Sequence, residues 1–235
     1  MTSLAEQDDR QLGGPLSILT RQKRDHVRLD LLLKRLATSS PGAEEEATLQ
    51  AIARLVFPHA FAEESVLWPA ARRVLPDGEQ LTLQVEREHQ EVNELWTRLE
   101  RLPSGSPERS TAIVRLTEVL REDVRDEEDD LLPRLQQALG PRRLRVLGVA
   151  WEAVRRTAPT RPHPVVSRRP PGNALAALPL TVVDRSRDAL EAGTRRLPRL
   201  DAPASRASGR LAALAGRVEQ VGVMRRGEDP STGRD

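Results

Sequence analysis

Residues 59–69 read HAFAEESVLWP, and residues 123–133 read DVRDEEDDLLP. The second string repeats the first at an offset of 64 residues: Glu63-Glu64 recur as Glu127-Glu128, Leu67 as Leu131 and Pro69 as Pro133. His59 recurs as Asp123, which keeps a potential metal ligand at that place but changes its type. Side chains spaced i, i+4 share one face of a helix, so each string presents two donors side by side. Two such pairs on two helices are a way to hold a pair of metal ions.

Around both strings, apolar residues recur at helical spacing. One stripe is Leu16, Leu19, His26, Leu29, Leu33 and Leu36, and a second is Ile52, Val56, His59, Glu63, Leu67 and Ala70. A third is Val85, His89, Val92, Trp96 and Leu99, and a fourth is Leu116, Leu120, Asp123, Glu127, Leu131 and Leu135. Turn chemistry separates them at Ser39-Ser40-Pro41-Gly42, at Pro76-Asp77-Gly78 and between Pro103 and Pro107. The pattern predicts an all-α fold, an antiparallel four-helix bundle over residues 15–139. The repeat also takes in Asp25-His26 and Glu88-His89, whose histidines lie 63 residues apart, so the bundle reads as two related helix pairs, 15–75 and 78–139.

The sequence changes style after Gly140-Pro141. Segment 140–159 predicts an additional helix with Leu144, Leu147, Trp151 and Val154 on one side. Segment 160–235 predicts a basic, Pro/Arg-rich, partly helical C-terminal extension: irregular chain from Thr160 to Gly172, short helices near 185–197 and 208–226, and a disordered end from Arg225. His163, flanked by prolines, reads as a linker residue.

Residues 1–138 carry 18 Lys+Arg and 26 Asp+Glu, a net of −8, while residues 139–235 carry 19 and 9, a net of +10. The basic half is expected to pack on the acidic bundle. Its only aromatic is Trp151 and it has no recognised reader motif, so nucleic acid is not an expected partner.

There is no cysteine, which excludes disulfides, thiolate zinc sites and iron–sulfur clusters, and no tyrosine, which excludes a tyrosyl radical. No apolar run approaches the ~20 residues of a membrane span, and the polar N-terminus lacks a signal-peptide core. A soluble cytoplasmic protein is expected.

The chemistry sits in the apolar stripes. His26, His59, Glu63, His89, Asp123 and Glu127 each occupy a position where the periodicity asks for a hydrophobe. An unpaired buried charge costs on the order of several kcal/mol or titrates away. A bound cation removes that cost by turning the six side chains into ligands. Nitrogen and oxygen donors without sulfur suit iron, manganese or zinc. Two non-haem irons lead, because bundles of paired carboxylate/His helices recur as di-iron scaffolds.

These residues resemble the hemerythrin-like (HHE cation-binding) family over roughly residues 15–139. The likeness rests on Asp25-His26, the HxxxEE…P string from His59, Glu88-His89, and the EE…P string at Glu127. It implies four helices around a non-haem di-iron centre, with His26, His59, Glu63, His89 and Glu127 as ligands and the two glutamates bridging. It also implies binding, sensing or reaction with a small diatomic ligand or peroxide (dioxygen, peroxide or nitric oxide). The departure is Asp123, where the family has histidine. Aspartate is shorter and anionic, which favours the higher iron oxidation state and points toward reactive chemistry or a labile site rather than reversible oxygen carriage. Asp30 and Asp126 are candidate replacements or outer groups. Glu64, Glu88 and Glu128 read as solvent-facing or as hydrogen-bond acceptors behind the ligands.

The expected function is therefore a non-haem di-iron protein. Two other classes are kept: a di-iron redox enzyme that removes peroxide, and a helical interaction protein with a degenerate metal site. Pro58 is read as a kink ahead of His59, and Trp68 and Trp96 as core.

Overall fold

The computed structural model of the chain describes residues 2–196 and 201–232. Helix α1 (Ile18–Thr38) is followed by α2 (Ala43–Ala62), which passes through one widened π turn, Glu63–Leu67, into α3 (Trp68–Val74). Helix α4 (Gly78–Leu99) leads to α5 (Pro107–Asp126), which passes through a second π turn, Glu127–Leu131, into α6 (Leu132–Ala138). Then come α7 (Pro141–Arg156), α8 (Gly172–Arg196) and α9 (Asp201–Glu219), and no strand is present among the described residues. The bundle thus has four rods: α1, α2–α3, α4 and α5–α6.

Local chemistry sets the ends. Gly42 has φ 128°, a conformation that L side chains rarely adopt, and it lets the chain turn from α1 into α2. Ser106 caps α5 by accepting the Arg109 N–H at 3.2 Å, with Pro107 at the first helical position, where its missing N–H costs nothing. Helix α2 runs on through Pro58, so that residue is inside the helix and not at its boundary. Trp68 and Trp96 are buried core residues, as expected.

The core has two apolar halves. One holds Ile18, Leu19, Leu67, Trp68, Val85 and Leu131, and the other holds Leu29, Leu33, Ile52, Val92, Trp96 and Leu116. Along α1 and α4 the chain runs from the first half to the second, and along α2–α3 and α5–α6 it runs back, which is the antiparallel arrangement. His26, His59, Glu63, His89 and Glu127 lie between the halves on each rod, so the bundle is apolar at both ends and polar across its middle.

Helix α7 lies against α1 and α2. Gly148 permits this approach, because a Cβ there would stand 2.1 Å from the Leu16 carbonyl oxygen. That contact sets the height of Trp151, three residues on, whose ring meets the His59 ring edge-on at 5.2 Å between centroids.

The extension differs from expectation in three ways. Its helices are long, because α8 continues through Pro179 and α9 begins at Asp201. Residues 197–200 lie outside the described residues. The end is ordered up to Thr232: Arg87 donates to Ser231 Oγ at 3.1 Å, and the Gly172 N–H donates to the Arg226 carbonyl at 3.1 Å. Residues 233–235 lie outside the described residues.

The third correction concerns His163, which is no free linker residue. It is buried, its N–H donates to Asn93 Oδ1 at 3.1 Å, and its ring nitrogens meet Glu219 at 2.8 Å and Asp184 at 3.1 Å. Asp184 also accepts the N–H groups of Thr160 and Arg161, at 2.9 and 3.0 Å. Val166, Ala176, Leu180, Val183 and Ala215 form a small core of their own in the extension. The extension does dock through charge, as Arg169 pairs with Glu86 and Glu79 at 2.7 Å each, and Arg54 of α2 reaches Asp188 and Glu191 at 3.2 Å each. No described helix is long and apolar enough to cross a membrane.

Burial opposes charge on His163, but the hydrogen bonds to Asp184 and Glu219 outweigh it and raise its pKa to about 9. A histidine raised on folding stabilises the native state fully below its ordinary pKa, and that contribution is lost as pH rises through the raised value. The stability gap between wild type and His163→Gln, read from urea unfolding, is therefore expected to be largest below pH ~6.5 and to close as pH passes about 9. A gap independent of pH would show that the histidine is not held charged.

Candidate metal centre

Both π turns start on a glutamate of the repeat. The Trp68 N–H bonds to the Glu63 carbonyl, and the Leu132 N–H to the Glu127 carbonyl, five residues back instead of four. The prolines explain the widening: Pro69 and Pro133 follow immediately, lack an N–H, and would clash with the carbonyl four residues earlier in a regular helix. Such turns recur at functional sites. Here they let two successive acids take different roles, one facing the centre and one behind it. Glu63 reaches inward to His59 and His89, while Glu64 lies behind His89.

The six sequence-predicted residues come together. One donor atom from each of His26, His59, Glu63 and Glu127 lies within 4.8 Å of the others, and so do donors of His89, Asp123 and Glu127. Glu127 belongs to both groups. Glu63 also faces both ways: its Oε1 is 3.0 Å from His59 Nε2, and its Oε2 is 3.7 Å from His89 Nε2. His26 Nε2 lies 3.2 Å from Glu127, and His89 Nε2 lies 3.4 Å from Asp123.

Glu63 Oε2, Asp123 Oδ1 and both carboxylate oxygens of Glu127 are buried without a hydrogen-bond partner. Unpartnered carboxylate oxygens in an interior are expensive unless a cation takes the place of the missing donors. The donor set and the orphaned oxygens therefore fit a pair of metal cations.

Behind the centre, each histidine is held at Nδ1 by an acid from another rod. His26 meets Glu128 at 2.8 Å, His59 meets Asp25 at 3.1 Å, and His89 meets Glu64 at 2.9 Å. This fixes Nε2 as the nitrogen turned to the centre and strengthens it as a donor. Gln22 donates to Glu63 Oε1 at 2.6 Å. Asp30 pairs with Lys34 at 2.6 Å and stands outside the cluster, and Asp126 takes a hydrogen bond from Gln84.

Three residues escape sequence reasoning in these roles. Asp25 acts on a different helix from its own, and spacing reports only neighbours on one helix. Trp151 belongs to α7, outside the repeat. Gln22 left a usable signal, a polar residue one turn before His26 on the buried face of α1.

The electrostatics without metal are those of a proton-filled site. Burial opposes charge on His26, but Glu127 and Glu128 raise it to about 9. His59 is held well above its usual range by Glu63 and Asp25 against the effect of burial, and His89 by Asp123 and Glu64. Burial, with Glu63 and Asp123 close by, pushes Glu127 up to about 8. Burial, with Asp123 and Asp126 beside it, does the same for Glu88. Burial would raise Asp25, yet His59 and Arg155 hold it low. Beside the centre is a cavity of about 20 Å³ walled by Leu29, Leu55, Phe57, Val92 and Leu120, with His26, His59, His89 and Asp123 on its polar side. That is space for about one small molecule.

Cations and protons must compete for the same atoms. Adding Fe²⁺ or Zn²⁺ to the metal-free chain at pH 7 is expected to release more than one proton per chain. Affinity should weaken steadily as pH falls from about 9, where His26 is half protonated. Calorimetry in buffers of different ionisation enthalpy measures the release, and proton-neutral binding would contradict the assignment.

Residues 17–135 match the family model described as the hemerythrin HHE cation binding domain. An uncharacterized hemerythrin-like protein of Schizosaccharomyces pombe is 25% identical over 134 residues, which is 57% of this chain and 66% of that protein. The chain thus spans just under two thirds of that relative's length. No solved structure matches.

Proposed function

The chain belongs to the hemerythrin HHE cation-binding domain family, and from that premise we propose that it is a non-haem di-iron protein that binds, senses or reacts with dioxygen, peroxide or nitric oxide. The observation that carries this reading is the pair of donor groups that share Glu127 and leave its two buried oxygens unpartnered. One ion would be held by His26 and His59, the other by His89 and Asp123, with Glu63 and Glu127 between them. Manganese or zinc suits the same donors. Iron, when bound, supplies the electrons and open positions that small oxidants and nitric oxide need.

The chain's own residues do the rest. Asp25, Glu64 and Glu128 orient the imidazoles. The cavity beside His26, His59, His89 and Asp123 is mostly apolar and sized for a small molecule, which favours a small ligand over a large substrate. Trp151 covers His59 on the α7 side.

A second reading, peroxide removal, draws on two features. Asp123 adds negative charge to the centre, and Glu88, pushed up to about 8 in the metal-free chain by burial with Asp123 and Asp126 beside it, could supply one of the two protons that two-electron reduction of peroxide by an external donor would consume.

Metal analysis after iron-replete expression is expected to find two iron ions per chain, with an optical spectrum that changes on reduction. In His59→Ala, metal content and melting temperature should fall together, and full loading would remove His59 from the ligand set. Asp123→His, which restores the family residue, is expected to slow metal loss to a chelator by about tenfold or more, the scale on which a changed ligand environment acts. An unchanged rate would place Asp123 outside the ligand set.

A further inference from the structure

Two of the three acids behind the histidines have arginines behind them. Arg155 of α7 brings its Nη1 to 3.6 Å from Asp25 Oδ2, the oxygen that His59 Nδ1 meets. Arg168 of the extension brings its Nη1 to 3.8 Å from Glu64 Oε1, the oxygen that His89 Nδ1 meets. Glu128, behind His26, has no arginine ion pair among the described residues. Each arginine therefore addresses one histidine, and the two histidines belong to different donor groups.

Both arginines lie beyond residue 135, where the family match ends. Both are also pinned. The Arg155 guanidinium stacks over Trp151 at 5.2 Å and bonds Glu152 at 3.0 Å, while Arg168 is buried and donates to Gln90 at 2.6 Å.

We propose that Arg155 and Arg168 are positioning residues that raise the reduction potential of the centre through Asp25–His59 and Glu64–His89. The inference rests on the di-iron reading and extends it: segments outside the family domain tune the centre. A carboxylate on Nδ1–H enriches an imidazole as a metal donor. A cation on that carboxylate draws the charge back and weakens the effect. Each guanidinium also adds its own positive potential, more strongly from the buried Arg168 than from the half-buried Arg155, and this disfavours the more highly charged oxidised ion. Both effects favour the reduced centre, so removing either arginine lowers the potential.

The test is a spectroelectrochemical titration of the iron-loaded full chain. Arg155→Gln and Arg168→Gln are each expected to keep wild-type iron content and to shift the oxidised-to-reduced ratio at fixed potential about tenfold toward oxidised, about 59 mV for a one-electron couple. Arg155→Lys and Arg168→Lys keep the charge and should return most of the shift. Arg156→Gln removes the same charge one residue away, from a side chain that is 74% exposed and paired with Glu152, and should leave the potential alone. Loaded Gln variants with the wild-type potential, or an equal shift in Arg156→Gln, overturn the proposal.

If the Gln variants lose iron, the ring ¹⁵N shifts of the metal-free full chain decide. Arg155→Gln should move His59 and Arg168→Gln should move His89, with His26 unmoved in both. Movement of all three rings alike, or of none, overturns the proposal. A wild-type chain that takes up no metal instead removes the di-iron reading, and the ring shifts still report on the arginine layer.

Discussion

Glu127 carries a carboxylate with almost no exposure and no hydrogen-bond donor on either oxygen. Bulk solvent does not reach it, and the nearest acids repel it. A shared proton, the neighbouring imidazoles or a cation offsets the cost of keeping it there. The rest of the bundle is organised around that requirement. Three histidines arrive from three rods, the partner Glu63 arrives from the rod related by the repeat, and apolar packing closes the bundle above and below. The polar middle destabilises an empty bundle and stabilises one that holds positive charge.

The backbone takes part as well. A regular helix would turn Glu63 and Glu64 about 100° apart and carry on past them. The π turns, set by Pro69 and Pro133, stretch the helix where each acid pair sits, so that Glu63 serves the centre while Glu64 backs His89. The proline that ends each repeat string is thus part of the site, although its side chain is no ligand.

The all-α bundle was legible because four apolar stripes keep a helical period and because the breaks between them are turn residues. The candidate donors that the fold brings together were legible for the same reason: polar side chains stood where that period demands apolar ones. What was not legible are the contacts between rods. Asp25 on His59 and Arg155 on Asp25 join residues whose spacing along the chain carries no signal. The irregular stretch from Thr160 to Gly172 was legible from its prolines, but the lengths of the two helices that follow it were not. Pro179 sits within α8, and His163 is buried by partners 21 and 56 residues away that no local pattern reveals.

The histidine backing has a consequence for exchange. His26 of the first rod is tied to the fourth, His59 of the second to the first, and His89 of the third to the second. Each of the three imidazoles is tied through Nδ1 to a neighbouring rod, so its Nε2 stays turned to the candidate centre while the rods stay in register. An ion held there would be released most readily when a pair of rods parts. Its dwell time would then depend on bundle breathing as well as on the side chains that hold it.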